Sequence, residues 1–467
     1  MTPLRPWMIE ALAAALPLAL AAALWAWRRP DARRRTGMLL SAAWLAASLP
    51  PLNALAAEAG WWRFGHGGAE WARMPPALLA GWVVAWALLP ALAARAAPAY
   101  LWAAGLVWLD VLLMPRLAPV LVLGDGWPWG EALLVGAGFL PAWLLGRWTA
   151  EDRRLPARAA LQVAAFAALV LGVLPDAVEA AVRAGWTAGW MRFAPLVPLS
   201  VAAQVIAVPA LLGIGAVHEF AVRGRGTPLP FDPPRRLVRS GPYAYVANPM
   251  QLAMALVLVL WGAMQGRPWM VALGLMSVVY SAGLAAWDEA GDLERRFGAV
   301  WAEYRQGVRA WRPRWRPWHP SLGGGAEPAR LYVARGCDLC SELGAGVERL
   351  RPVGLEIVDA EDHPSRRLTR ITYDPRDGGA EEEGVAAFAR ALEHVNLAFA
   401  LLGMAMRLPC VRWVLQVVLD ASGGAPREVA WRGGTEVADA CGCASCPAPR
   451  RPRATRLAHS GLIALGG

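Results

Sequence analysis

The chain has 467 residues, 57% of them hydrophobic, with 26 tryptophans and a formal net charge of +10 at neutral pH. Those values exclude an ordinary soluble enzyme and point to a polytopic membrane protein. The positive charge is all arginine, with no lysine anywhere, and many arginines sit in short connections between apolar runs. A nucleic-acid partner is therefore not expected, because its basic patch would be concentrated in a soluble domain.

Nine apolar runs are long enough to cross, or nearly cross, a hydrocarbon core of about 30 Å. They lie near 7–27, 36–57, 75–94, 99–122, 130–147, 158–181, 195–221, 250–265 and 268–287. The eighth is short and is expected either to tilt little or to share a hairpin with the ninth through Gln265-Gly266-Arg267-Pro268. The first run has no small-residue cleavage site after its core, so a removable signal peptide is not expected. The connections at 28–35, 95, 147–158 and 223–239 hold fifteen arginines, against five at positions 63, 73, 183, 192 and 267. By the positive-inside rule the first set faces the cytoplasm, and so does everything after residue 287. The expectation is an integral protein of a bacterial inner membrane with a cytoplasmic C-terminal domain.

Polar residues inside the runs are costly and need a reason. Asp110, in the middle of the fourth run, is read first as a paired structural carboxylate and second as a functional one. Asn53 and Gln204 are expected to make interhelical hydrogen bonds. His218 and Glu219 close the seventh run and are read first as an interfacial helix end and second as residues that line a site at the following loop. Residues 1–194 otherwise carry no recognisable chemistry and form an N-terminal membrane region.

The stretch 226–249, GTPLPFDPPRRLVRSGPYAYVANP, interrupts the membrane pattern. Prolines at 228, 230, 233, 234 and 242 forbid a long helix, since each removes an amide donor and restricts its predecessor. Gly241-Pro242 is a turn signal, and Asn248-Pro249 begins a helix with proline at its first position. Irregular backbone this close to a bilayer must be buried in protein or line a cavity. After the ninth run, Leu293, Phe297, Val300, Trp301, Tyr304 and Val308 form one helical stripe, headed by Glu289. A carboxylate there needs a partner, either a cation nearby or the backbone amides of its own helix start.

Gly241-Pro242-Tyr243-Ala244-Tyr245-Val246-Ala247-Asn248-Pro249 resembles the signature of the integral-membrane methyltransferases of the isoprenylcysteine carboxyl methyltransferase and phospholipid methyltransferase group. That family reads Gly-Pro-Tyr-Arg-Tyr-Val-Arg-His/Asn-Pro, so Ala244 and Ala247 replace its arginines and Asn248 stands at the common histidine. The same family follows its last membrane helix with a pattern met here by Glu289, Leu293, Phe297, Gly298, Trp301 and Tyr304; its second glutamate is Ala290. The resemblance spans about 205–315 and implies that the loop and this helix enclose S-adenosylmethionine, with no metal, at the cytoplasmic face of a 195–320 core. It implies catalytic roles for Glu289, Tyr245 and Asn248, and cofactor contacts from Gly241, Pro242, Tyr243, Tyr245, Asn248, Pro249, Glu289, Phe297 and Tyr304. Carboxylates and aromatic faces suit a sulfonium cation. The expected acceptor is a membrane lipid or other lipophilic molecule entering from the bilayer. NADPH-dependent sterol reductases resemble the family in their last helices, so a membrane reductase is the alternative; a purely redox membrane protein is another.

Arg312–Pro320, RPRWRPWHP, mixes cations and tryptophans like an interfacial anchor, and residues 321–329 read as a linker. Over 330–420 the pattern becomes a small α/β, thioredoxin-like domain. Strands are expected at 331–334, 355–358 and 369–373, and helices at 337–350, 383–407 and 410–419. A strand followed by Cys337-Asp338-Leu339-Cys340 at a helix start is a thiol-redox signature, because the helix N-terminus favours a thiolate. The run Tyr332-Val333-Ala334-Arg335-Gly336-Cys337 through Cys340 is similar in part to thiol-disulfide oxidoreductases of the DCC type, which implies a cytoplasmic thiol partner. Residues 421–467, holding Cys441, Cys443 and Cys446, are expected to be disordered.

Overall fold

The computed structural model describes residues 5–65, 74–93, 98–118, 120–183, 195–229, 232–320, 327–429 and 431–432, without the side chains of 99, 183 and 284–290. Glu289, Phe231, Pro230, most of the linker and the cysteines of the C-terminal tail lie outside what is described, Glu289 by its side chain only. The chain divides into two compact units, Met1–Arg312 and Pro313–Gly467.

In the first unit seven helices among the described residues are long and apolar enough to cross a membrane. They are α1 (Pro6–Arg28), α2 (Ala32–Glu58), α3 (Pro76–Ala93), α4 (Tyr100–Leu117), α5 (Trp127–Glu151), α6 (Leu155–Val182) and α7 (Leu199–Gly224). They match the first seven predicted runs. The eighth and ninth are the shorter apolar helices α8 (Pro249–Met264) and α9 (Pro268–Gly283). Each is roughly 24 Å long at the α-helical rise, less than a full hydrocarbon core. They form the expected hairpin, with Gly266 at positive φ in its turn.

Leu16, Trp27, Val208, Met276 and Val279 lie exposed on helix surfaces, where only hydrocarbon suits them. Between helices small residues let backbones approach: a Cβ on Gly37 of α2 would sit 2.4 Å from the Gly146 carbonyl oxygen of α5. A two-stranded ribbon, β1 (Trp62–Phe64) and β2 (Leu121–Leu123), ties the α2–α3 and α4–α5 connections together. Its Trp62 indole donates to Asn53 Oδ1 at 3.0 Å, so Asn53 bonds the ribbon. Gln204 is also not an interhelical bonder; it lies exposed on α7.

The last helix of this unit, α10 (Ala286–Gly307), bends at Gly298, where φ is 52° and ψ −128°. That break corrects the continuous stripe expected from the sequence. Tyr304 and Val308 are buried, whereas Val300 is turned out to solvent.

The second unit is a four-stranded sheet with helices. In chain order it runs β3 (Ala329–Val333), α11 (Asp338–Arg349), β4 (Leu355–Asp359), β5 (Thr372–Asp374), β6 (Glu382–Glu383), α12 (Val385–Leu392), α13 (Leu397–Met406) and α14 (Pro409–Leu419). The strand order is β4-β3-β5-β6, with β3 and β4 parallel and the other pairs antiparallel. Leu331, Val333, Val347, Tyr373 and Ala387 make its core. The helix expected over 383–407 is two helices, because Asn396 caps a new one, its side chain accepting from the amides of Ala398 and Phe399. The strand expected from 369 starts only at Thr372. Residues after Arg312 lie with this unit, the Trp315 carbonyl accepting from the Leu397 amide at 2.9 Å.

Candidate functional site

The proline-rich stretch folds back on the end of α7. Gly226 has no room for a side chain: a Cβ would meet the Asp232 carbonyl oxygen at 2.8 Å and the Phe220 ring at 2.9 Å. The Gly224 carbonyl accepts from the Arg235 amide at 2.7 Å, closing the fold-back. Gly241, at φ 58°, starts a single 3₁₀ turn over Gly241–Ala244, a conformation that disfavours any residue with a Cβ. Pro242, Tyr243, Ala244, Tyr245 and Val246 are all buried behind it. This part of the irregular backbone, 241–246, is thus enclosed in protein.

The Gly-Pro-Tyr loop and α10 are clasped together, although the sequence places them far apart. The Tyr304 hydroxyl donates to the Tyr243 carbonyl at 2.8 Å, across 61 positions. The amides of Ala247 and Asn248 donate to the carbonyls of Arg309 and Ala310 at 3.0 and 3.2 Å. Tyr245 and Tyr304 are fully buried and act as struts of this clasp. Asn248 and Phe297 are half-buried at its edge, and Pro249 opens α8.

A polar cluster sits behind the loop. Glu219, read first from the sequence as an interfacial helix end, is 1% exposed, whereas His218 beside it is exposed. Glu219 accepts from the Ser240 hydroxyl at 2.5 Å and lies 3.8 Å from Arg223. The Tyr243 ring stacks on Phe220 with centroids 6.2 Å apart. Its hydroxyl is buried and has no hydrogen-bond partner among the described residues. Burial, with Tyr304 and Glu219 nearby, pushes the Tyr243 hydroxyl well above the ordinary phenol range, so it stays a neutral donor. A buried donor left without an acceptor costs about 1–3 kcal/mol, and a ligand oxygen or nitrogen would remove that cost. Ser240 and Phe220 were missed as site residues, and Glu219 was only the second reading of its position; the signal was a carboxylate one residue before the helix lost its regularity.

Asp110 has a neighbour that the sequence did not reveal. It is Glu131, 3% exposed in the first turns of α5. Asp110 Oδ2 and Glu131 Oε1 are buried without a hydrogen-bond partner among the described residues.

In the second unit Cys337 and Cys340 are joined as a disulfide. Cys337 is the N-cap of α11, its sulfur accepting from the Cys340 amide at 3.3 Å. A small cavity of about 30 Å³ lies against the two sulfurs, walled by Leu343, Ile371, Leu419 and Val429. The chain at 427–429 passes beside it, the Arg427 amide donating to the Thr369 carbonyl at 3.0 Å. Comparison with protein-family models, with curated proteins and with solved structures finds no match for any part of the chain.

Proposed function

We propose that the membrane unit transfers a methyl group from S-adenosylmethionine to a hydrophobic, membrane-embedded acceptor, and that the second unit is a thioredoxin-like thiol–disulfide module. The observation that carries the first part is the clasp: the two stretches resembling the methyltransferase family's cofactor-binding elements are hydrogen-bonded to each other through Tyr304, Ala247 and Asn248. The residues around it suit the cofactor. When bound, the cofactor supplies a methyl group on a sulfonium. Glu219, with Glu289 from the sequence, offers negative charge to that cation, and the rings of Phe220 and Tyr243 offer aromatic faces. The Tyr243 hydroxyl and Ser240 hydroxyl are hydrogen-bonding groups for the amino-acid part. Asn248, half-buried at the edge of the clasp, is the candidate for contact with the acceptor. The chain's task is alignment and exclusion of water, because no strong base is needed when the acceptor is a carboxylate or thiolate.

The second part rests on the CxxC disulfide at the N-terminus of α11, next to parallel β3 and β4 with β5 and β6 antiparallel beyond. Reduced, the Cys337 thiolate would attack a partner disulfide and Cys340 would resolve the mixed disulfide, taking two electrons from the protein to the partner.

Equilibrium dialysis of labelled S-adenosylmethionine against the full-length protein in nanodiscs tests the first part. Saturable binding is expected, weakened about tenfold in Glu219→Gln and unchanged in Cys337→Ser. Absence of saturable binding, with saturable binding of NADPH, would replace this reading by the reductase one.

A further inference from the structure

The connections at one end of the membrane unit meet around a second cavity. It has a volume of about 550 Å³ and is rimmed by Arg33, Asp152, Arg225, Asp232, Arg235 and Arg296. These residues come from the first turn of α2, the α5–α6 connection, the fold-back after α7, and α10. Behind the rim Arg158 is fully buried, with 2.9 Å to Asp232 and 3.4 Å to Asp152.

The charge does not balance. Asp152 already serves Arg33 at 3.1 Å, Arg235 at 3.1 Å and Arg158. Asp232 serves Arg158 and, at 3.9 Å, Arg33. Arg296 pairs with Asp292 outside the cavity at 3.2 Å. Leaving that pair aside, four guanidinium groups surround two carboxylates. The Arg33 hydrogen bond and the surrounding cations hold the Asp152 carboxyl below the usual carboxylate range, so it stays ionised, and both acids are already spent on these pairs. Arg225 has no side-chain partner among the described residues, and Arg235 keeps 65% of its side chain exposed. The N–H groups left over are open to an anion.

The other wall is apolar, made by Leu155, Pro156, Ala221 and Val222 at the ends of α6 and α7. A cation-rich rim on an apolar wall, at the ends of membrane helices, fits an anionic head on a hydrocarbon body. Guanidinium groups match phosphate through paired N–H donors. The same excess of positive charge repels a sulfonium, so this cavity is separate from the proposed methyl-donor site. We propose that it is a binding site for a phosphate ester, supplied by an anionic phospholipid of the adjoining leaflet.

The test uses full-length protein in detergent micelles, with phosphatidylglycerol titrated and bound lipid counted by native mass spectrometry. Arg225→Gln is the key variant, because it breaks no ion pair, and Arg225→Lys is its charge-conserving control. Phosphatidylglycerol should bind the unaltered protein and bind Arg225→Gln about tenfold more weakly, with most affinity kept in Arg225→Lys. Diacylglycerol, with the same tails and no phosphate, should not compete. If inorganic pyrophosphate binds with the same arginine dependence and phosphatidylglycerol does not, the phosphate ester comes from solution and the lipid source is wrong. If Arg225→Gln binds both probes within twofold of the unaltered protein, the site is overturned.

Discussion

Tyr304 joins the two halves of the candidate site with one hydrogen bond, and that bond is buried. Removing it as Tyr304→Phe keeps the ring and leaves the Tyr243 carbonyl without its donor. The expected loss is about 1–2 kcal/mol, with affinity for the methyl donor falling while membrane insertion is unchanged. Calorimetry and donor titration on one preparation check both; unchanged donor affinity would mean that the clasp is scaffold only. In the second unit, His394 receives a hydrogen bond from the Tyr373 hydroxyl at 2.9 Å and donates to the Val353 carbonyl at 2.8 Å. Burial pushes its pKa below the ordinary histidine value. Above about pH 6.5, the ordinary value, folded and unfolded forms are both neutral and the full stability is present. As pH falls below that, the unfolded chain takes up a proton that the folded one refuses, so stability declines. Hydrogen exchange in peptides covering α12, corrected for intrinsic rates, should show protection falling between pH 7.5 and 5.5. His394→Gln should flatten that dependence.

At the scale of elements, the membrane helices were legible because length and composition alone decide them. The hairpin of α8 and α9 was legible from Gly266 and Pro268. Its close packing was not, since that depends on which glycines face each other. A Cβ on Gly262 would fall 2.7 Å from Met270, and one on Gly274 would fall 2.8 Å from Val259. Gly262→Leu should therefore push α8 and α9 apart and lower the unfolding temperature in detergent, whereas Gly283→Leu, with open space around it, should not. The stripe on α10 misled for a related reason: a period of 3.6 assumes a continuous helix, and Gly298 breaks it. The long helix expected over 383–407 failed because Asn396 read as one more polar position and not as a cap.

For the whole molecule, the arginine count predicted that four connections share one face; the one at Arg95 lies outside the described residues. The structure brings Arg33, Asp152, Arg158, Asp232 and Arg235 of those connections into one ion-pair cluster. The opposite connections meet separately, through Arg267 and Glu179 at 2.5 Å. Sequence pattern reached the loop, the CxxC and the two units, because prolines, cysteines and composition are local signals. It did not reach Glu131, Ser240 or the arginine cavity, whose settings exist only once distant helix ends are placed side by side. The central claim is methyl transfer by the clasped loop and α10. It is tested most directly by incubating the full-length protein in nanodiscs with methyl-labelled S-adenosylmethionine and a total membrane lipid extract, beside Glu289→Ala. Label in an organic-soluble product, lost in the variant, is the predicted result. No labelled product from protein that is folded and supplied with the whole lipid extract would contradict it.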